Sequence, residues 1–217
     1  MLDFGFYNMD CMEGMKNFPD KYFDLAIVDP PYGIGEDWKK RNGRNNYAET
    51  TYKNSKIPDE IYFRELERVS KNQIIWGYNY YTDILGPTNH LIIWDKQSSN
   101  NQVFKYSKAE IAYTSYRIPC NLVSIPWDGY RMGSETGIKK IHPHQKPIAL
   151  YKWILENYAE KAFKILDTHV GSASSLIACH DMGFQYVGFE IDMTYYELAK
   201  KRLEKAKAQQ NIFEYLD

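Results

Sequence analysis

The chain has 217 residues, 44% of them hydrophobic and 25% charged, with a formal net charge of −1. That suffices for one sizeable α/β core and excludes both a chain too polar to fold and an overall polycation. The first residues lack a basic, apolar leader, no apolar run is as long as a membrane span, and Cys11, Cys120 and Cys179 are few and far apart, so we expect a cytoplasmic chain with reduced thiols and no membrane segment.

Phe4 to Asn8 reads as a short strand, followed by Asp10-Cys11 and a short helix to about Asn17. Tyr22 to Val28 is apolar on both faces, as expected of an interior strand of a parallel sheet. It stops at Asp29-Pro30-Pro31-Tyr32, where two prolines fix φ and remove two N–H donors. The stretch 33–56 is polar, basic and without periodicity, which predicts a mobile functional loop. Asp59 should cap a helix ending near Lys71, and Gln73 to Gly77 should be a strand. A short helix from Asn79 to Leu85 and a strand from Leu91 to Trp94 come next. Two further strands are expected at Ala109–Ser115 and Asn121–Ile125, inside a region of about 97–141 with no long helix.

Pro147 suits the first position of a helix running to Tyr158. Phe163 to Leu166 is a strand ending at Asp167, and 170–174 turn into a helix that ends near Gly183. Gln185 to Phe189 is a strand ending at Glu190, and Asp192 caps the last helix, from Met193 to about Gln209. Strands alternating with helices predict a doubly wound, mostly parallel α/β sheet in one domain, with 97–141 as a small insertion.

Two strand ends carry chemistry. Ligands of open α/β sheets bind at the carboxyl ends of strands, where Asp29-Pro30-Pro31-Tyr32 offers a carboxylate, a fixed carbonyl and a ring. At Asp167 to Ser174 an acid is followed by a small-residue turn and a helix start, and Glu190 follows the turn by about twenty residues. Such a carboxylate accepts from ribose hydroxyls. His142-x-His144, with distant cysteines, lacks metal-ligand spacing, and no metal is expected.

Together these motifs resemble the S-adenosylmethionine-dependent DNA amino-group methyltransferases in the permuted group, where the catalytic motif precedes the cofactor motif. The likeness rests on Asp10-Cys11, Phe23 to Tyr32, Leu91 to Lys96, His142 to Pro147, and Asp167-Thr168-His169-Val170-Gly171-Ser172-Ala173-Ser174. Thr168, His169 and Ala173 depart from the family's usual Asp-Pro-Phe-x-Gly-Ser-Gly-Thr loop. The resemblance implies a Rossmann-like methyltransferase fold, S-adenosylmethionine as cofactor and double-stranded DNA as substrate, and admits a homodimer and a cognate restriction endonuclease as partners. It assigns the adenine to Asp10 and the Cys11 backbone, and the ribose to Glu190. The methionine end falls to Asp167, the Gly171-Ser172 turn and Lys146, with His169 and Ser174 in the same loop. Asp29, Pro30, Pro31 and Tyr32 become the catalytic group, with Asp29 also beside the cofactor.

The chemistry of that tip is independent of the resemblance. An exocyclic amine on a nucleobase is a poor nucleophile, because its lone pair is delocalised into the ring. Two acceptors on its N–H groups, the Asp29 carboxylate and the Pro30 carbonyl, favour localising that pair, and the Tyr32 face can stack a flipped base. Positioning supplies most of the rate in a direct in-line transfer, and Asp29 can take the released proton. Asp at the head of the tetrapeptide leans toward adenine N6, with cytosine N4 as the alternative. An inactive nucleic-acid-binding protein of the same fold is the rival from another class. Two segments are basic, 36–56 with a net +3 and 105–146 with a net +4, against −8 elsewhere. Lys39, Lys40, Arg41, Arg44, Lys96, Arg131, Lys139 and Lys140 are the candidate DNA contacts, with those in the later region favoured for target recognition.

Overall fold

A computed structural model describes residues 1–33, 56–97, 107–127 and 131–214, with side chains through Gln209. Eight strands form one sheet: β1 (Gly5–Asn8), β2 (Phe23–Val28), β3 (Ser70–Trp76), β4 (Leu91–Asp95), β5 (Ala109–Thr114), β6 (Asn121–Ser124), β7 (Lys164–Asp167) and β8 (Gln185–Glu190). Their order is β1-β8-β7-β2-β3-β5-β4-β6. Only β5 runs against its neighbours among the described residues; every other pairing is parallel.

The helices are α1 (Cys11–Met15), α2 (Glu60–Val69), α3 (Thr82–Leu85), α4 (Ile148–Tyr158), α5 (Ser174–Asp181) and α6 (Met193–Glu214). All six residues of β2 are buried. Leu25 and Ile27 pack into one layer with Leu150, Tyr151 and Ile154 of α4, while Ala26 and Val28 join Met15 of α1 and Tyr62, Phe63 and Leu66 of α2. Burying both faces is what makes the run apolar throughout.

Several expected boundaries move. Helix α2 is capped by Asp59, whose carboxylate accepts from the Tyr62 amide at 3.2 Å, and it runs straight into β3 at Ser70, three residues earlier than the strand expected at Gln73. The expected Asn79–Leu85 helix is instead a 3-10 turn at Tyr78–Tyr80 followed by α3. Strands β5 and β6 are integral to the central sheet, so 97–141 is partly framework rather than wholly an insertion. The stretch 34–55 lies outside the described residues.

The chain leaves β2 toward β3 on one side and leaves β7 toward β8 on the other, while β2 and β7 pair directly, Ala26 against Leu166. Such a reversal of direction opens a crevice at the carboxyl ends of the two strands. Gly188 of β8 sits beneath it. A Cβ there would lie 2.7 Å from Val170 Cγ2 and 2.9 Å from Leu176 Cδ1, so the missing side chain lets the turn after β7 and the start of α5 lie on the sheet. That close approach is the service of the last glycine in a dinucleotide-type loop, which Asp167–Ser174 lacks.

Candidate active site

Four neighbouring parallel strands deliver one carboxylate each to the same edge. Asp10 follows β1, Glu190 ends β8, Asp167 ends β7 and Asp29 follows β2. Asp10 caps α1, accepting from the Met12 amide at 2.7 Å, and the Cys11 thiol beside it is pushed up to about 12 by burial and then by Asp10. Glu190 accepts from the amides of Gly171 and Asp192, each at 2.9 Å. Each oxygen keeps acceptor capacity for a hydroxyl.

Asp167 is buried and accepts from the Ser175 hydroxyl and from the His169 amide at 2.9 Å. Burial raises its carboxyl to about 7 against those hydrogen bonds, with Asp29 and Glu190 adding to the rise. A buried acid among acids is relieved by a ligand that brings positive charge. This set of acceptors fits S-adenosylmethionine, which brings an ammonium and a ribose diol as donors and a sulfonium as a second positive charge.

The irregular part of the loop is compensated. Thr168 Oγ1 lies 2.6 Å from the Tyr62 hydroxyl and 2.9 Å from His169 Nδ1, forming a chain from α2 into the loop. The His169 ring meets Tyr62 edge-on at 5.4 Å, and burial pushes it down to about 4, so it is a neutral ring at pH 7. Ala173 takes the left-handed conformation at φ 62°. Arg202 of α6 donates to the Ser172 carbonyl at 2.6 Å and the Ser174 hydroxyl at 2.9 Å, and pairs with buried Glu135 at 2.6 Å.

The Asp29 tip is more enclosed than its sequence suggests. One Asp29 oxygen accepts from the Tyr32 hydroxyl and the other from the Lys146 ammonium. Tyr81 donates to the Pro30 carbonyl at 2.7 Å and to the Pro31 carbonyl at 3.0 Å, which braces the diproline turn. The Tyr32 ring stacks on Tyr80 at 4.9 Å and an interplanar angle of 9°, with its edge against Gly77. So Tyr80 covers one face of the ring expected to receive a base.

Lys146 differs from expectation. Its side chain is 4% exposed and reaches Asp29, Glu110 at 3.1 Å and the Tyr32 hydroxyl at 3.1 Å, rather than the Asp167–Gly171 turn. Burial alone lowers a lysine, but Asp29 and Glu110 outweigh it and hold the ammonium charged. Lys96, expected at the DNA, turns inward, 2.5 Å from Glu110 and over the Trp94 ring at 5.1 Å, so its ammonium braces the site.

Of the other basic candidates, Arg131 donates to the Gln97 carbonyl at 2.5 Å, Lys140 lies over Trp127 at 4.7 Å and Lys139 is exposed. They share one loop before α4. Lys39, Lys40, Arg41 and Arg44 lie outside the described residues. The sequence reading missed Glu110, Arg202, Glu135 and the Tyr80-Tyr81 pair. The last had a signal, an aromatic cluster directly past a buried strand. Glu110 had none, because one acid in an alternating strand reads as a solvated face.

A doubly wound sheet whose crevice brings an Asp-Pro-Pro-Tyr tip beside an acidic turn-and-helix site defines a Rossmann-like methyltransferase. The chain belongs to the DNA methylase family that acts on N6 and N4 amines, whose model matches residues 23–201. S-adenosylmethionine is that family's methyl donor.

Among curated relatives, the type II methyltransferase M.HpaI of Haemophilus parainfluenzae is 24% identical over 96% of this chain and 76% of its own length. The DNA adenine methyltransferase YhdJ of Escherichia coli K12 is 24% identical over 91% of this chain and 81% of its own length. Among solved structures, the M1.HpyAVI complex with S-adenosylmethionine has a TM-score of 0.61 at 19% identity, covering 91% of this chain and 98% of that one. The cytosine-N4-specific PvuII DNA methyltransferase also has a TM-score of 0.61, at 15% identity, covering 97% and 92%.

Proposed function

We propose that this chain methylates the N6 amine of adenine in a specific duplex DNA sequence, taking the target base out of the stack. The observation that carries the reading is the direct pairing of β2 with β7, which sets the Asp29-Pro30 acceptors beside the acidic cofactor edge. S-adenosylmethionine supplies an electrophilic sulfonium methyl. Glu190 would hold the ribose hydroxyls, Asp10 and the Cys11 backbone the adenine end, and Asp167 with Gly171 and Ser172 the methionine end.

The Asp29 carboxylate and the Pro30 carbonyl would accept from the two N–H groups of the target amine. Tyr81 fixes the Pro30 carbonyl, so that acceptor needs little reorganisation on reaction. Asp29 would take the proton as the attacked nitrogen becomes cationic. Tyr32 would stack on the base once Tyr80 leaves its face. Arg131, Lys139 and Lys140 would meet DNA from one loop, positioning phosphates or reading base edges.

Adenine is favoured by the Asp heading the tetrapeptide and by similarity to an adenine methyltransferase across most of both chains. The test is nucleoside mass spectrometry of DNA incubated with the purified protein and S-adenosylmethionine. N6-methyladenine at one sequence is the expected product. N4-methylcytosine would replace this reading with the alternative chemistry, and no methylated base would overturn it.

A further inference from the structure

Asp29 poses a problem for the reaction just assigned to it. Each of its oxygens already holds a donor, Tyr32 on one and Lys146 on the other, so a target amine has to compete with a buried ammonium for the charge of the carboxylate. Lys146 is enclosed by protein, and carrying its ammonium to water would break up a buried charge cluster.

A second carboxylate stands ready. Glu110 Oε2 is 3.1 Å from the same ammonium, yet it is fully buried and receives no hydrogen bond of good geometry. The other oxygen of Glu110 is held by Lys96 at 2.5 Å. Topology explains the placement. Strand β5 is reversed, so its first residues lie at the carboxyl ends of its neighbours, with Glu110 opposite Trp94 at the end of β4. One antiparallel strand therefore adds an acid to an edge otherwise built from parallel strand ends.

We propose that Glu110 is a positioning residue that receives the Lys146 ammonium when the target amine takes its place on Asp29. The exchange turns a poor contact into a full hydrogen bond and frees one lone pair of Asp29. Asp29 and Glu110 against Lys146 and Lys96 stay balanced throughout, so no charge is left buried and unpaired. Lys96, by gripping the far oxygen, keeps Glu110 aimed at Lys146.

The inference rests on the methyltransferase reading, and the two can fail separately. The experiment is single-turnover methyl transfer to target DNA by the wild type, Glu110→Gln, Lys146→Met and the double variant, with S-adenosylmethionine and DNA affinities measured alongside. In Glu110→Gln, Lys146 keeps Asp29 as its one carboxylate and clamps it. Transfer should slow at least about tenfold while both affinities stay within about threefold. Removing Lys146 as well should restore part of that rate, so the double variant should be faster than Glu110→Gln.

A purely structural Glu110 would not produce that order, and a double variant no faster than Glu110→Gln overturns the proposal. So does an unchanged rate in Glu110→Gln. Should Glu110→Gln fail to fold, Glu110→Asp and the uncharged double variant carry the test: both should transfer methyl groups, and a folded double variant that binds cofactor but transfers none contradicts the exchange. A wild type inactive on every DNA tested overturns the functional reading itself, and this inference with it.

Discussion

Arg202 donates to the carbonyl of Ser172 at 2.6 Å, joining the last helix to the loop after β7. The loop there turns through Ala173 at φ 62°, a conformation that costs a residue with a Cβ about 1 kcal/mol and needs outside support. The same guanidinium pairs with Glu135, whose other oxygen accepts from the Ile148 amide at 2.8 Å at the start of α4. One side chain thus braces the cofactor loop against the segment that carries the basic candidates.

Arg202→Met should weaken S-adenosylmethionine binding about tenfold and leave the rate at saturating cofactor within about threefold, measured by titration calorimetry and single turnover. It also strands Glu135, a buried carboxylate, so stability should fall by about 3 kcal/mol in denaturant unfolding. Adding Glu135→Gln should recover part of the stability without recovering cofactor affinity. Recovery of both would mean that Arg202 acts on the fold and not on the loop.

Gly77 holds Tyr32 in place by having no side chain. It sits at φ +80°, and a Cβ there would lie 2.2 Å from Tyr32 Cε1. Gly77→Ala must move the ring that hydrogen-bonds Asp29, so transfer should fall at least about tenfold with cofactor affinity kept. Wild-type turnover in Gly77→Ala would show that the Tyr32 position is not part of the chemistry.

The raised carboxyl of Asp167, at about 7 against an ordinary 3.8, predicts two pH effects. Between those values the folded chain holds a proton that the unfolded chain has released, so the contribution of Asp167 to stability falls as pH rises from about 4 to about 7. His142 and His169, pushed down to about 3 and about 4 chiefly by burial, pull the other way, so the quantity to measure is wild type minus Asp167→Asn. That difference should decline across the window. A cationic cofactor favours the ionised acid, so wild-type affinity should rise as pH passes about 7, with proton release visible as a buffer-dependent binding heat. A flat difference and no proton release would leave Asp167 ionised throughout, contrary to its burial.

Gly188→Val should test the packing under the crevice. Its side chain would meet Val170 and Leu176, so a loss of about 1–3 kcal/mol in unfolding free energy is expected, together with weaker cofactor binding. No change in either would mean that the turn and α5 can stand off from the sheet at no cost.

What the sequence made legible was whatever leaves a local mark. β2, β4, β7 and β8 are apolar runs that end in or beside an acid, and parallel topology puts those acids on one edge, so Asp29, Asp167 and Glu190 could be named before any coordinates. The caps at Asp59 and Asp192 were readable for the same reason. Relations between distant residues were not. Lys146 sits 117 positions from Asp29, and neither residue shows that the lysine points there. The reversed strand β5 reads like any alternating strand, so only the sheet order reveals that Glu110 arrives at the site. The repairs to the irregular loop come from Tyr62, Gly188 and Arg202, which lie on three elements other than the two that flank the motif.

The most direct test compares the wild type with Asp29→Ala on the same DNA, reading methylated nucleosides by mass spectrometry and S-adenosylmethionine affinity by calorimetry. Asp29→Ala leaves Lys146 its second carboxylate, Glu110, so the fold should survive the loss. The wild type should yield N6-methyladenine and Asp29→Ala none, with cofactor affinities within about threefold of each other. Methyl transfer by Asp29→Ala at the wild-type rate, or equal loss of transfer and cofactor binding, would contradict the assignment of Asp29 as the acceptor that activates the amine.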